Sequence, residues 1–217
     1  MKPLALPLLL LALAAPAHAL GVGVRGGTNG IGGDIGFDIA PTLLGRVGYS
    51  GLNLSQTIDD TDVRYDGKVK LNNLSALVDF SPLGPFRLTG GVVYAKNRIG
   101  LTGRPTNGTY ELNGTQYNAA DIGSVTGSVE GKRKLAPYVG VGYGNVSGLG
   151  VNFYTDIGVI LQGGGKAALN VQCGSAISAS QCTKIRQDAE AERTRLQDDV
   201  SKFKAWPVIS LGLTIGF

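Results

Sequence analysis

Residues 206–217 read WPVISLGLTIGF. Ile209, Leu211, Leu213, Ile215 and Phe217 fall on one face, and Ser210, Gly212, Thr214 and Gly216 fall on the other. Side chains alternate across a strand with a period of two, so this segment is predicted to be a strand with one greasy face and one small or polar face. It stops on Phe217 with no polar tail. The expectation is a closing strand whose terminal aromatic residue also serves as an assembly signal.

The same period recurs upstream. At 149–162, Val151, Phe153, Ile157 and Val159 oppose Asn152, Tyr154 and Asp156, and at 135–144, Val139, Val141 and Tyr143 oppose Tyr138, Gly140 and Gly142. Segments 86–95 and 31–40 alternate likewise, and 20–28 and 43–54 do so more weakly. The stretch 63–80 changes phase, from Val69 and Leu71 to Leu74, Ala76, Val78 and Phe80, which predicts a bulge near Asn72-Asn73. The count is eight strands, with no helix before residue 183. Short turns at 41–42, 81–85 and 145–148 alternate with longer connections, two of them spanning about 104–133 and 164–204. Short turns at one end and long loops at the other match the periplasmic and extracellular ends of an outer-membrane barrel.

Composition agrees with export. Met1-Lys2, an apolar stretch from Leu4 to Ala15 and the small-residue site Ala17-His18-Ala19 predict a cleaved secretory signal over 1–19, leaving 20–217 as the barrel. No apolar run reaches the roughly 20 residues of a spanning helix, so contact with a lipid core requires a closed barrel. Without Lys2 the chain has 19 basic and 16 acidic residues, a net charge of +3, too small to point to nucleic acid. Cys173 and Cys182 in an exported chain predict a disulfide, worth about 2–3 kcal/mol for a short closed loop. No mature histidine stands near them to complete a metal site.

Alternation alone does not say which face is buried, and a soluble barrel would turn its apolar set inward. The opposite face carries Arg25, Asp34, Asp38, Arg46, Asp79, Arg87 and Asp156. Facing lipid they would be costly, whereas across a narrow lumen they can pair. A membrane barrel with a lumen charge network is the expectation. His18 is the one histidine and leaves with the signal, so a His-based proton carrier is absent. Asp34 and Asp38 remain as a paired-carboxylate alternative, against which stands simple neutralisation by Arg25, Arg46 or Arg87. No enzymatic activity and no cofactor or metal is expected.

Signal segment, alternating strands and aromatic C-terminal strand together resemble the small outer-membrane barrels of Gram-negative bacteria: the OmpA membrane domain, OmpX and OmpW. The resemblance implies an all-β fold, an eight-stranded antiparallel up-and-down transmembrane β-barrel. It also implies residence in the cell outer membrane and insertion by the barrel-assembly machinery through the strand ending at Phe217.

Eight strands enclose a space that side chains fill or that holds one small ligand. The function is therefore expected to be a structural or surface-interaction role, with a narrow porin for small solutes as the alternative. Lys132, Arg133 and Lys134 precede one strand, and Lys68, Lys70, Lys96, Arg98, Arg104, Lys202 and Lys204 lie at the same end. They are candidate contacts for lipopolysaccharide phosphates, or ordinary solvated charges. In the last loop Ile185, Ala189, Leu196, Val200 and Phe203 recur at helical spacing, predicting an extracellular loop helix over about 183–204, with Asp198 and Lys202 as an i, i+4 pair. It is expected to cap the mouth, lie over the rim or contact a surface protein partner. Asn113-Gly114 predicts a small hairpin inside the 104–133 loop.

Overall fold

The computed structural model describes residues 19–59, 63–105 and 107–217, so the predicted signal, apart from Ala19, lies outside it. Thirteen strands and one α-helix are present among the described residues: β1 (Leu20–Gly27), β2 (Gly30–Ala40), β3 (Leu43–Asp59), β4 (Val63–Leu83), β5 (Phe86–Ala95), β6 (Arg98–Pro105), β7 (Thr109–Leu112), β8 (Thr115–Asn118), β9 (Ile122–Gly131), β10 (Leu135–Gly144), β11 (Gly150–Ile160), β12 (Gly165–Cys173), α1 (Ala179–Ser201) and β13 (Trp206–Gly216). All strand pairings are antiparallel.

Following the hydrogen-bonded neighbours from β1 through β2, β3, β4, β5, β10, β11 and β13 leads back to β1. The sheet is therefore closed into a ring. Phe217 takes part in the closure, exchanging both backbone hydrogen bonds with Leu20 at 3.1 and 3.0 Å. Apolar alternate residues, among them Val24, Ile35, Val78, Val141, Phe153 and Leu213, point outward and are exposed. The charged and small residues point inward. At the end with the short turns, Phe86 and Tyr143 stack edge to face with centroids 5.2 Å apart, Phe80 is exposed on the neighbouring strand opposite Leu88, and Phe217 is exposed where it meets Leu20.

Two corrections to the sequence reading concern what lies beyond the ring. The predicted bulge at Asn72-Asn73 does not form: β3 and β4 keep one register from Leu43↔Phe80 to Asp59↔Arg64. The irregularities fall instead at Asp38/Ala40 and Phe80/Leu83 in the ring and at Gln172/Cys173 beyond it. Odd-numbered residues of β4 stay on one face, with Leu71, Asn73 and Asp79 all buried. The apolar phase changes because the environment changes, from the open outer face of the ring to a branch of the same sheet that β4 carries beyond it, hereafter the second sheet. β9 and β12 lie in the segments predicted as long loops, and β6 just before the first of them completes that sheet. β6 pairs with the upper half of β4, β9 with β6, and β12 with β9.

The helix starts at Ala179, four residues earlier than expected, and ends at Ser201. Ser178 caps it through a reciprocal box with Gln181, which satisfies two otherwise orphaned backbone donors. Lys202 pairs with Asp199 at 2.8 Å, not with Asp198. Ile185 and Ala189 pack with Leu112, Ile122, Val125 and Val171, so α1 closes a small core of its own against β9 and β12. The Asn113-Gly114 hairpin forms, with φ of 51° and 78° at the two residues as a type I′ turn requires. Its Tyr117 hydroxyl donates to Asp188 on α1. The Cys173–Cys182 disulfide ties the end of β12 to the first turn of α1.

Candidate functional site

The interior of the ring is filled in three levels. At the short-turn end the 145–149 connection folds inward, so that fully buried Val146 sits with Leu44 and Tyr154. Gly21 and Gly36 leave the space it occupies: a Cβ at Gly36 would lie 2.9 Å from the Val146 side chain.

Above it lie the charges. Arg46 meets Asp156 at 2.6 Å and Asp79 at 3.1 Å, Arg87 meets Asp79 and Asp156 at 3.0 Å each, and Arg25 meets Asp34 at 3.4 Å. Three guanidiniums thus face three carboxylates, and all six side chains are buried. Tyr154 links the two groups. Its hydroxyl donates to Asp34 at 2.5 Å, and its ring lies 5.6 and 5.5 Å from the Arg46 and Arg87 guanidiniums. Thr89 donates to Asp79 at 2.5 Å. Gly48 and Gly212 make room, since a Cβ at either would collide with Asp34 or the Tyr154 ring.

Asp38 is the exception among the predicted network residues. Half-buried, it accepts from Ser147 at 2.5 Å and meets none of the arginines, so Asp34 and Asp38 do not form a carboxylate pair. Three network members are not singled out by the sequence reading: Tyr154, Thr89 and Ser75, which accepts from Arg25 at 3.4 Å. Tyr154 shares its strand face with Asp156, and that is the available signal.

At the far end Leu77, Val93, Ala136, Tyr138, Ile160 and Val208 form an apolar layer with Trp206 against it. The gap between this layer and the charges has a volume of about 10 Å³, room for one water at most.

The far rim is basic. Lys132, Arg133 and Lys134 are exposed in the link from β9 to β10, and none of them has a carboxylate partner among the described residues. The Arg133 backbone N–H donates to Gln162 and that of Lys132 to Gly164. Lys96 lies 5.1 Å from the Tyr94 ring. Of the other predicted belt residues, Lys68, Lys70, Arg98 and Arg104 lie on the outer part of β4 and on β6, where Arg104 pairs with Asp66 and Arg98 lies 4.0 Å from Glu130, while Lys202 and Lys204 lie at the end of α1 and in the link to β13. Among the described residues no group of three or more His, Cys, Asp or Glu side chains is placed to hold a metal ion, and no helix is long and apolar enough to cross a membrane.

The closed antiparallel ring with further strands beyond it has counterparts among solved structures. CarO2 of Acinetobacter baumannii superposes with a TM-score of 0.63 at 20% identity, covering 92% of this chain and 98% of that one. CarO of the same organism gives 0.62 at 20% identity, with 91% and 97% covered. A major outer membrane protein of Thermus thermophilus aligns at 0.38 and 17% identity over 92% of this chain and 99% of that one, too loosely to bear on the fold. The chain therefore shares the fold of the CarO proteins over nearly its whole length. No family model matches the sequence, and neither does any curated protein.

Proposed function

We propose that the ring is an eight-stranded transmembrane barrel of the outer membrane, with the second sheet, the hairpin and α1 on the extracellular side, and that the protein is non-enzymatic and serves a structural or surface-interaction role. The observation that carries this reading is the contrast between inside and outside. The interior is closed at three levels, while the chain devotes β6 to β9, β12 and α1 to an ordered unit beyond the ring. A belt of exposed Val, Ile, Leu and Phe encircles the ring, far more apolar surface than a soluble monomer leaves in contact with water. Short turns mark the periplasmic end, and the exchange between Leu20 and Phe217 fits delivery by the barrel-assembly machinery. On this orientation Lys132, Arg133 and Lys134 sit at the level of lipopolysaccharide phosphates.

Planar-bilayer recording of the refolded protein tests the closed interior: no conductance steps are expected, and sustained single-channel steps from pure protein would overturn it in favour of the narrow porin. Neutralising Lys132, Arg133 and Lys134 to Gln is expected to reduce co-purifying lipopolysaccharide, and unchanged retention removes that contact.

A further inference from the structure

Between the rim of the ring and the second sheet lies a cleft of about 480 Å³, lined by Ile99, Val129, Val200, Phe203, Trp206 and Pro207. A second lobe of about 210 Å³ runs on from it along β6, β9 and β12 beneath Leu196 and Val200. The two lobes share Ile99, Val129 and Val200. The larger lobe falls in the range of roughly 300–1,000 Å³ typical of small-ligand sites.

Local sequence shapes this cleft. Among the described residues the apolar face of the second sheet has no cover on its β6 side, because α1 packs on β12. The run Gly163-Gly164-Gly165 brings the helix end close: Gly163 and Gly164 have φ of 75° and 105°, and a Cβ at Gly165 would lie 2.9 Å from the Val200 side chain. Two cations stand next to the cleft lining, each beside residues that form it. Arg133 lies against Gly163, its Nε 3.1 Å from where a Cβ would stand, and the Gly163 N–H donates to the Lys204 carbonyl. Lys204 sits between two lining residues, Phe203 and Ala205. Neither Arg133 nor Lys204 has a carboxylate partner among the described residues.

An elongated apolar slot with two cations next to its lining matches one kind of molecule. We infer that the cleft binds a free long-chain fatty acid, its acyl chain along Ile99, Val129 and Val200 and its carboxylate at Arg133 and Lys204. The far lobe is less than half the size of the near one, which suits one chain better than the paired chains of a phospholipid. The assignment rests on the cleft itself and holds whether or not the interior conducts.

Trp206 is the one tryptophan of the chain and lines the cleft, so its fluorescence reports occupancy directly. The full-length protein in nanodiscs of saturated phosphatidylcholine is titrated with a dibrominated octadecanoic acid, whose bromines quench indole on contact. Saturable quenching is expected. Val129→Phe, which fills the slot, is expected to abolish the saturable phase. The Arg133→Gln/Lys204→Gln pair, which alters only exposed charges and leaves folding intact, is expected to weaken affinity roughly three- to tenfold, as is replacing the acid by its methyl ester. Quenching that rises linearly and equally in Val129→Phe, or equal affinity for acid and ester, overturns the assignment. So does equal quenching by a dibrominated phosphatidylcholine, which would make the cleft a seat for bilayer lipid.

Discussion

Asp156 accepts from both Arg46 and Arg87 in a space that admits almost no water. Replacing it with Ala leaves two buried guanidiniums with Asp79 alone, and breaking a buried pair in this way costs about 3–5 kcal/mol. The Asp156→Ala barrel is expected to unfold at markedly lower urea concentration, followed by loss of the fast-migrating folded band on unheated gels. Gly212→Leu is expected to be comparably damaging, because Tyr154 occupies the space its side chain would need. Much of this network is legible in the sequence. The charged residues of the inward face can be gathered from strand parity alone, since alternation fixes which residues share a face. Parity does not fix depth along the barrel. That is why Asp38 falls into the expected group although it lies a level below, beside Ser147. Nor does it reveal that interior glycines are spaces reserved for a tyrosine.

The elements outside the ring hold together by small, separable contacts. The hydrogen bond from Tyr117 keeps the Asp188 carboxyl below its ordinary value of 3.8, and desolvation together with the same bond pushes Tyr117 up to about 12. A carboxyl whose pKa is depressed by folding contributes stability that is complete above its ordinary value and fades as pH falls through the lower one. A phenol whose pKa is raised contributes stability that is complete below its ordinary value near 10 and fades as pH rises through about 12. The hairpin is therefore expected to detach from α1 at both extremes, seen as faster amide exchange in 109–118 below about pH 4 while ring amides stay protected. Tyr117→Phe should remove both transitions. Reducing the Cys173–Cys182 disulfide is expected to loosen 174–182 to protease, by up to about 2–3 kcal/mol of local stability, and leave the ring intact.

These elements are the least legible part of the chain. The apolar residues of β6, β9 and β12 are diluted by glycine, with Gly100, Gly103, Gly123, Gly127 and Gly131 among them, so a strand pattern never stands out. Their partner is the extended upper half of β4, which no local signal announces. The helix start is readable from Ser178 and Gln181, a cap that precedes the first apolar repeat and so escapes a search by periodicity.

At the scale of the whole molecule, ring strands and outer strands alternate along the chain: β5 is followed by β6, β9 by β10, and β11 by β12. The outer unit has its own core and contributes no strand to the ring. Replacing 166–203 by a flexible Gly-Ser tether is therefore expected to preserve assembly, with the heat-sensitive gel shift retained, while any binding to surface partners or to fatty acid disappears. Loss of assembly would show instead that α1 and β12 are needed to close the barrel.

The unbroken run of β4, 21 residues long or roughly 70 Å at about 3.3 Å per residue, also has a mechanical meaning. It is one spar shared by hull and superstructure, paired with β3 from Arg64 to Phe80 without a break in register. No hinge separates the two among the described residues of that spar. A tug on the outer unit along the ring axis would load the β3–β4 ladder in shear, where many hydrogen bonds resist together, so whatever the outer unit grips is held as stiffly as the ring itself.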